Sequence, residues 1–237
     1  MLSYLSEFIG TMLLIILGCG VVANVSLNKS GMKGAGSIQI TIAWGLAVMI
    51  PAIIFGEASG ASFNPALTLA LAVDGSFPWN KVAGYIIAQL LGAFCGACIV
   101  YLLYKDQFDA TDDAGTQRGV FATGPSVRNL WLNFFSEFIG TFILVFAIKG
   151  IANVSGVATG LDKMFVFGII VAIGMSLGGL TGYAINPARD LGPRLAYAML
   201  PGKGRGDADW SYALLVPLLG PICGALCAVL LYALLPW

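Results

Sequence analysis

Long apolar runs separated by short polar segments dominate this chain of 237 residues. Six of the runs approach the ~20 residues that a helix needs to cross the hydrocarbon core of a bilayer. We predict membrane spans over roughly 3–25, 36–55, 82–104, 131–152, 164–180 and 211–235. Two further runs, 64–73 and 187–199, are too short to cross and are predicted to be re-entrant half-helices. The pattern therefore predicts an all-α membrane protein with a single domain over residues 1–237.

Both half-helices begin with the same triplet, which occurs as Asn64-Pro65-Ala66 and again as Asn186-Pro187-Ala188. Asparagine is a favourable N-cap because its side-chain oxygen accepts a free backbone N–H, and proline suits the first helical position because it has no N–H to leave unpaired. A helix that starts at membrane depth needs its capping groups buried in protein or facing a water-filled path. The triplets therefore predict two half-helices that meet at a cavity.

An internal duplication sets the arrangement of these elements. Residues 6–11 recur letter for letter as residues 136–141, and residues 90–97 resemble residues 218–225. The repeats cover about 1–105 and 131–237, joined by a loop over about 106–130, and each holds three spans and one half-helix. An odd number of spans inverts the second repeat in the membrane. The half-helices then enter from opposite sides, and their N-termini meet near the midplane.

Each repeat places one glutamate inside its first span, at the equivalent positions Glu7 and Glu137. An acidic side chain in a span costs on the order of 2.5–3.5 kcal/mol by insertion scales, so it usually faces a partner or an aqueous cavity. The pair could form the proton relay of a coupled transporter. Alternatively, each carboxylate could accept hydrogen bonds from the backbone of the loop before its half-helix. We favour this structural interpretation.

Composition excludes several classes of function. The chain is 58% hydrophobic and 10% charged, with a formal net charge of zero, so neither a nucleic acid partner nor a polybasic membrane patch is expected. It contains no histidine, and its five cysteines lie in apolar runs, where we interpret them as small packing residues. We therefore predict no metal site, no cofactor and no enzymatic activity, because no nucleophile is paired with a base.

Taken together, the two triplets, the inverted duplication, the paired glutamates and the arginine after the second triplet resemble the major intrinsic proteins, the aquaporin and glycerol-facilitator channels. The resemblance covers essentially the whole chain. It implies the aquaporin-like fold, a homotetramer with one pore per subunit, and cytoplasmic termini. Together with the compact termini, it leads us to expect a multi-pass protein of a bacterial plasma membrane.

The resemblance also implies a selectivity filter formed by Trp44, Gly174, Tyr183 and Arg189. Gly174 is expected to leave room, while Trp44 and Tyr183 form an apolar corner opposite the Arg189 guanidinium. Such a ring suits a solute with carbon on one side and hydroxyls on the other. Four further positions resemble the glycerol-conducting branch: Asp190, Arg194, Pro217 and Leu218. Two positions depart from the family pattern, since Tyr183 replaces the common phenylalanine and Ser62 stands where many members have histidine.

The function implied is a passive channel for small neutral solutes: glycerol and similar polyols, water and undissociated lactic acid. Protons and ions are excluded. Backbone carbonyls of two loops would replace the hydration that a solute loses. They belong to Gly60, Ala61, Ser62, Gly182, Tyr183 and Ala184. The alternative function is a proton-coupled carrier of a small hydroxy acid that uses Glu7 and Glu137.

The charges in the loops disagree with the orientation that the family implies. Cytoplasmic termini leave only Lys81, Lys149 and Lys163 in the inner loops, whereas the outer loops carry Lys29, Lys33, Lys105, Arg118, Arg128, Lys203 and Arg205. The positive-inside rule alone predicts the inverted orientation. We favour the family orientation, because the first helix usually dominates insertion and a tightly packed repeat can override a weak charge bias.

Overall fold

All regular structure is helical in the part of the chain that the computed structural model describes, residues 1–158, 160–202 and 205–236. Lys203, predicted in an outer loop, and Trp237, the last residue of the predicted domain, lie outside the described residues. The helices are α1 Leu2–Ser26, α2 Ser37–Ser59, α3 Pro65–Val73, α4 Trp79–Leu103, α5 Lys105–Asp109, α6 Ala114–Phe121, α7 Leu130–Ala152, α8 Asp162–Thr181, α9 Pro187–Met199 and α10 Trp210–Leu234.

The predicted all-α architecture of six spans and two half-helices is confirmed. Six helices, α1, α2, α4, α7, α8 and α10, are long and apolar enough to cross a membrane. Helix α2 includes Pro51 and continues beyond its predicted end at residue 55 to Ser59. Two short helices, α5 and α6, lie in the segment predicted as a loop. Helix α6 begins where the Asp113 side chain accepts a hydrogen bond from the Thr116 N–H, a local cap that the hydrophobic pattern does not reveal.

Glycines bring the first and last spans of each repeat into backbone contact. A Cβ atom built on Gly92 of α4 would lie 2.1 Å from the carbonyl oxygen of Phe8 in α1. In the second repeat, a Cβ on Gly224 of α10 would lie 2.1 Å from the carbonyl oxygen of Phe138 in α7. Such close crossings are characteristic of small residues spaced four apart in membrane helices. The two repeats therefore use the same packing device.

The half-helices pack across the repeat boundary. Helix α3 of the first repeat packs on α10 of the second, and α9 packs on α4. At the second contact a Cβ on Gly192 would lie 2.6 Å from the Cβ of Ala93, so only glycine fits there. Each half-helix is thus enclosed by protein, as a short helix in a membrane must be.

A π-helical turn, Leu214–Leu219, interrupts α10. Seven positions separate Tyr85 from Gly92 in α4, whereas eight separate Tyr212 from Gly220 in α10. A π turn accommodates one extra residue within a helix. The predicted branch positions Pro217 and Leu218 lie in this turn.

Candidate functional site

The two half-helices meet end to end through their asparagine caps. The Asn64 side-chain oxygen accepts the Ala66 N–H at 2.9 Å, and its amide nitrogen donates to the Ile185 carbonyl at 2.9 Å. Asn186 mirrors this arrangement: its oxygen accepts the Ala188 N–H at 3.0 Å, and its nitrogen donates to the Phe63 carbonyl at 2.8 Å. The reciprocal bonds are those expected of an inverted repeat. Each amide retains a second N–H, and both asparagines line a cavity.

The loops before the half-helices contain a run of left-handed backbone conformations. Ala61 and Phe63 have φ angles of 53° and 47°, and Tyr183 and Ile185 have angles of 37° and 44°. Non-glycine residues there cost roughly 1–2 kcal/mol each. The carbonyls predicted to form the ladder receive no hydrogen bond from the residues that the structure describes. Five of these six residues, all except Gly182, line the cavity that also holds the two asparagines. Gly182 and Tyr183 line a second cavity.

Buried carboxylates hold both loops in this conformation. Glu7 accepts the backbone N–H groups of Ser62 at 3.1 Å and Phe63 at 2.8 Å, together with side-chain bonds from Ser59 and Gln89. In the second repeat Glu137 accepts three bonds, from the Ala184 N–H at 2.9 Å, the Ile185 N–H at 2.8 Å and the Thr181 hydroxyl at 2.6 Å. Neither carboxylate lines a cavity that holds the asparagines or Arg189. Their geometry is that of loop supports behind the pathway.

Phe63 and Ile185, the residues before the asparagines, are components of the site that the sequence analysis missed. Their carbonyls accept the reciprocal asparagine bonds, and their side chains lie against glycines of the first spans. A Cβ on Gly10 would lie 2.1 Å from the Phe63 ring, and a Cβ on Gly140 would lie 3.0 Å from Ile185. The repeated segment that contains both glycines was the available sequence signal.

Trp44, Tyr183 and Arg189 lie where two cavities adjoin, a place that we call the constriction. A cavity of about 270 Å³, which we call cavity 1, extends from this point past both asparagines to Asp162 and Lys163. A cavity of about 680 Å³, cavity 2, extends to the other side, past Ile38 and Gly124. The three constriction residues line both cavities.

The position of Arg189 differs from the predicted arrangement. We expected its guanidinium to lie opposite Trp44, but its Cζ lies 4.0 Å from the centroid of the Trp44 ring. The Arg189 Nη1 also donates to the Phe121 carbonyl at 3.3 Å. Attraction between the cation and the electron-rich ring face accounts for the stacking. The two cavities therefore adjoin beside the stacked pair, and no open space separates its members.

Gly174, which we expected to leave room, lines cavity 2 together with Trp44, Tyr183 and Arg189. A Cβ atom there would nevertheless lie 2.8 Å from Tyr183 Cζ and 2.6 Å from Thr41 Cγ2. The space beside Gly174 is therefore occupied by the tyrosine ring and by Thr41. Glycine is required at this position because the ring rests on the helix backbone.

Asp190 and Arg194 form a fully buried ion pair on α9. The Arg194 Nε lies 2.7 Å from Asp190 Oδ1, and Nη2 lies 3.0 Å from Oδ2. Asp190 also accepts both the N–H and the hydroxyl of Thr123 at 2.7 Å, while Arg194 donates to the Thr123 carbonyl at 2.7 Å. The pair therefore fixes the segment that presents the Phe121 carbonyl to Arg189. No sequence signal identified Phe121 or Thr123, because both act largely through backbone groups.

The same end of the protein is held by a second, more exposed ion pair. Arg194 donates to the carbonyl of Ala208, and Arg128 pairs with the neighbouring Asp209 at 2.6 Å. The hydrogen bond from Arg128 holds the pKa of the Asp209 carboxyl below its ordinary value. These contacts keep the segment before α10 close to the constriction.

Comparison with known proteins agrees with this geometry. Residues 1–232 match the family model described as Major intrinsic protein. The chain is 54% identical to a probable glycerol uptake facilitator protein of Thermotoga maritima, with 92% of each chain covered. It is 51% identical to the glycerol uptake facilitator protein of Bacillus subtilis, over 93% of this chain and 80% of that protein.

Among solved structures, the aquaglyceroporin from Plasmodium falciparum has a TM-score of 0.88 and 33% sequence identity, over 98% of this chain and 95% of that one. Family match, relatives and fold agree over nearly the whole length. The chain belongs to the Major intrinsic protein family.

Proposed function

We propose that this multi-pass membrane protein is a passive channel for glycerol, similar small polyols and water. The observation that carries the proposal is the meeting of two capped half-helices at a cavity, each with an unused amide N–H. Relatives at 44–54% identity are named as glycerol uptake facilitators, which supports glycerol as the solute. A gradient-driven channel needs no nucleophile, metal or cofactor.

In this mechanism a solute exchanges its hydration shell for a few fixed polar groups. The amides of Asn64 and Asn186 donate at the centre, while the loop carbonyls of residues 60–62 and 182–184 accept along the way. At the constriction, Arg189 donates to hydroxyls, and the aromatic rings of Trp44 and Tyr183 contact the carbon side. We assign these four groups of residues the roles of central donors, carbonyl ladder, filter donor and filter wall.

Exclusion of protons and other cations follows from electrostatics. The N-terminus of each half-helix carries the equivalent of about half a positive charge, and the two meet at the asparagines. Arg189 adds a full charge at the constriction. Together they raise a barrier to hydronium and metal ions, while neutral solutes pass.

The carrier alternative is less well supported by the same geometry. Glu7 and Glu137 are buried and bonded behind the loops, with no contact to the cavities past the asparagines. Moreover, alternating access by rocking one repeat against the other would break both reciprocal asparagine bonds.

Glu137→Gln is expected to reduce glycerol flux and thermal stability without changing any response to a proton gradient. The amide places a donor where the carboxylate now accepts two backbone N–H groups. Glycerol uptake by proteoliposomes with and without an imposed pH gradient measures this. Glu57→Gln is the matched control, because Glu57 is exposed in α2. Gradient-driven glycerol accumulation that is present in the wild type and lost in Glu137→Gln would replace the channel with a carrier.

We propose that undissociated lactic acid also passes, whereas lactate does not. Arg189 could pair with a carboxylate, but the aromatic walls would not compensate for its lost hydration. At fixed total concentration, uptake well above the acid's pKa is expected to rise about tenfold for each pH unit lowered, as the neutral fraction rises. Glycerol flux in the same vesicles is the control and should stay constant. A rate of lactate uptake that does not depend on pH would indicate an anion path.

We further propose a homotetramer with one pore per subunit, in a bacterial plasma membrane with both termini cytoplasmic. Large apolar side chains are exposed along the outer faces of the spans, as contact with lipid or a neighbouring subunit requires. Named relatives come from bacteria. Crosslinking in native membranes tests the homotetramer, and protease protection of tagged termini tests their cytoplasmic location.

A further inference from the structure

Two glycines outside the constriction lie directly behind its aromatic walls. A Cβ atom built on Gly18 of α1 would lie 2.2, 2.4 and 2.5 Å from three carbons of the Trp44 ring. A Cβ on Gly178 of α8 would lie 2.8 and 3.0 Å from two ring carbons of Tyr183. Carbon atoms pack favourably at about 3.5–4.0 Å, so a methyl group at either position fits only if the ring moves.

The surroundings of Trp44 determine where its ring can go. On the α1 side, Ile15 and Cys19 are fully packed, with exposures of 0%. On the other side lie the Arg189 guanidinium and the two cavities. A ring displaced from Gly18 therefore moves toward the solute passage.

Tyr183 occupies a comparable slot. Its ring lies on the backbone of α8 at Gly174 and Gly178, and Thr41 of α2 closes the slot beside Gly174. The backbone of Tyr183 is fixed by the Glu137 bonds to the next two residues. Because the backbone cannot follow, a methyl group at Gly178 turns the ring outward into cavity 2.

We propose that Gly18 and Gly178 are positioning residues that set the width of the constriction from behind, and thereby decide whether three-carbon solutes pass. Neither glycine lies in the set of four filter positions that the family resemblance implies. The inference rests on the proposed function, since it assumes that glycerol is a solute of this channel.

The test compares glycerol and water permeability of the same proteoliposomes. Gly18→Ala and Gly178→Ala are each expected to lower glycerol permeability about tenfold, because one extra carbon in a closely fitted site typically has an effect of this size. Water permeability should change less than about twofold. Gly20→Ala and Gly168→Ala are matched controls on the same helices. An added Cβ at Gly20 or Gly168 meets nothing within 4 Å, so both permeabilities should equal those of the wild type.

A second substitution that shrinks the displaced ring provides the specific readout. Gly18→Ala combined with Trp44→Phe should restore glycerol permeability to that of Trp44→Phe alone, and Tyr183→Leu should do the same for Gly178→Ala. Unchanged glycerol flux in both single variants would overturn the inference. An equal loss of glycerol and water flux that the ring substitutions do not reverse would also overturn it, because such a loss indicates that the added methyl groups push the helices apart.

Failure to fold also has a defined meaning. If Gly18→Ala does not reach the membrane but its combination with Trp44→Phe does, the contact between the added methyl group and the Trp44 ring is established. Glycerol permeability of Gly178→Ala, with and without Tyr183→Leu, then tests the width of the constriction. If both combinations also fail to fold, the inference is wrong. Wild-type protein that passes no glycerol would contradict the proposed function instead, so the two failures are distinguishable.

Discussion

Arg194→Met is expected to destabilise the protein more than any other single change considered in this work. Removing one partner of a buried ion pair leaves an uncompensated charge and costs about 3–5 kcal/mol. Here the Asp190 carboxylate would remain fully buried with only Thr123 as donor, and the segment that supports Arg189 would lose its anchor. We expect a large fall in the detergent-solubilised melting temperature, measured by size-exclusion chromatography after heating.

The chain offers a matched control for this prediction. Lys105 and Asp109 form another ion pair four residues apart on a helix, but both side chains are more than 40% exposed. Lys105→Met should therefore leave the melting temperature nearly unchanged, because water and salt screen exposed pairs. Equal losses in the two variants would contradict the interpretation of Asp190 and Arg194 as a buried anchor.

Arg189→Ala is expected to abolish discrimination at the constriction while leaving the fold intact. The substitution removes the cation that faces incoming ions, the donors for solute hydroxyls and the group stacked on Trp44. Permeability to polyols larger than glycerol and to protons should rise several-fold, whereas glycerol flux should change less. Light scattering and a pH-sensitive dye in proteoliposomes measure these quantities.

Arg189→Met separates the effect of size from that of charge. Methionine retains much of the side-chain length but neither the charge nor the donors. Proton leak should therefore rise in both variants, while larger polyols should pass only through Arg189→Ala. A folded Arg189→Ala channel with wild-type discrimination would remove this residue from the filter.

The sequence was sufficient to predict features that depend on local patterns. Apolar length predicted the spans, and the Asn-Pro pairs predicted α3 at Pro65 and α9 at Pro187. The duplicated segments predicted the reciprocal arrangement, because an inverted repeat leaves few alternatives.

Features that depend on which side chain fills a shared space could not be predicted. The stacking of Arg189 on Trp44 depends on the relative placement of α2 and α9. A sequence also does not show that the Tyr183 ring extends back over α8 to the side-chain position of Gly174. Thr123 contributes its backbone N–H and carbonyl and also its hydroxyl, but its partner Asp190 lies 67 positions further along the chain, so the sequence around Thr123 gave no signal.

The extra residue in α10 has a consequence for how the interiors of the two repeats compare. Because the π turn absorbs it locally, Gly220 and Gly224 keep the close approach to α7 that Gly92 and Gly96 make to α1. The polar interior did not stay equivalent. In the first copy, Gln89 joins Glu7 to Thr68. The duplication offsets place Pro217 and Asp190 at the corresponding positions.

The Pro217 side chain has no hydrogen-bond donor, and Asp190 accepts hydrogen bonds from Arg194 and Thr123. The second repeat thus has a charged link that reaches an outer segment where the first has an internal amide link. The two repeats share their close helix packing but not their polar interior, and Arg189, which lines cavities 1 and 2, lies on α9, the half-helix of the second repeat.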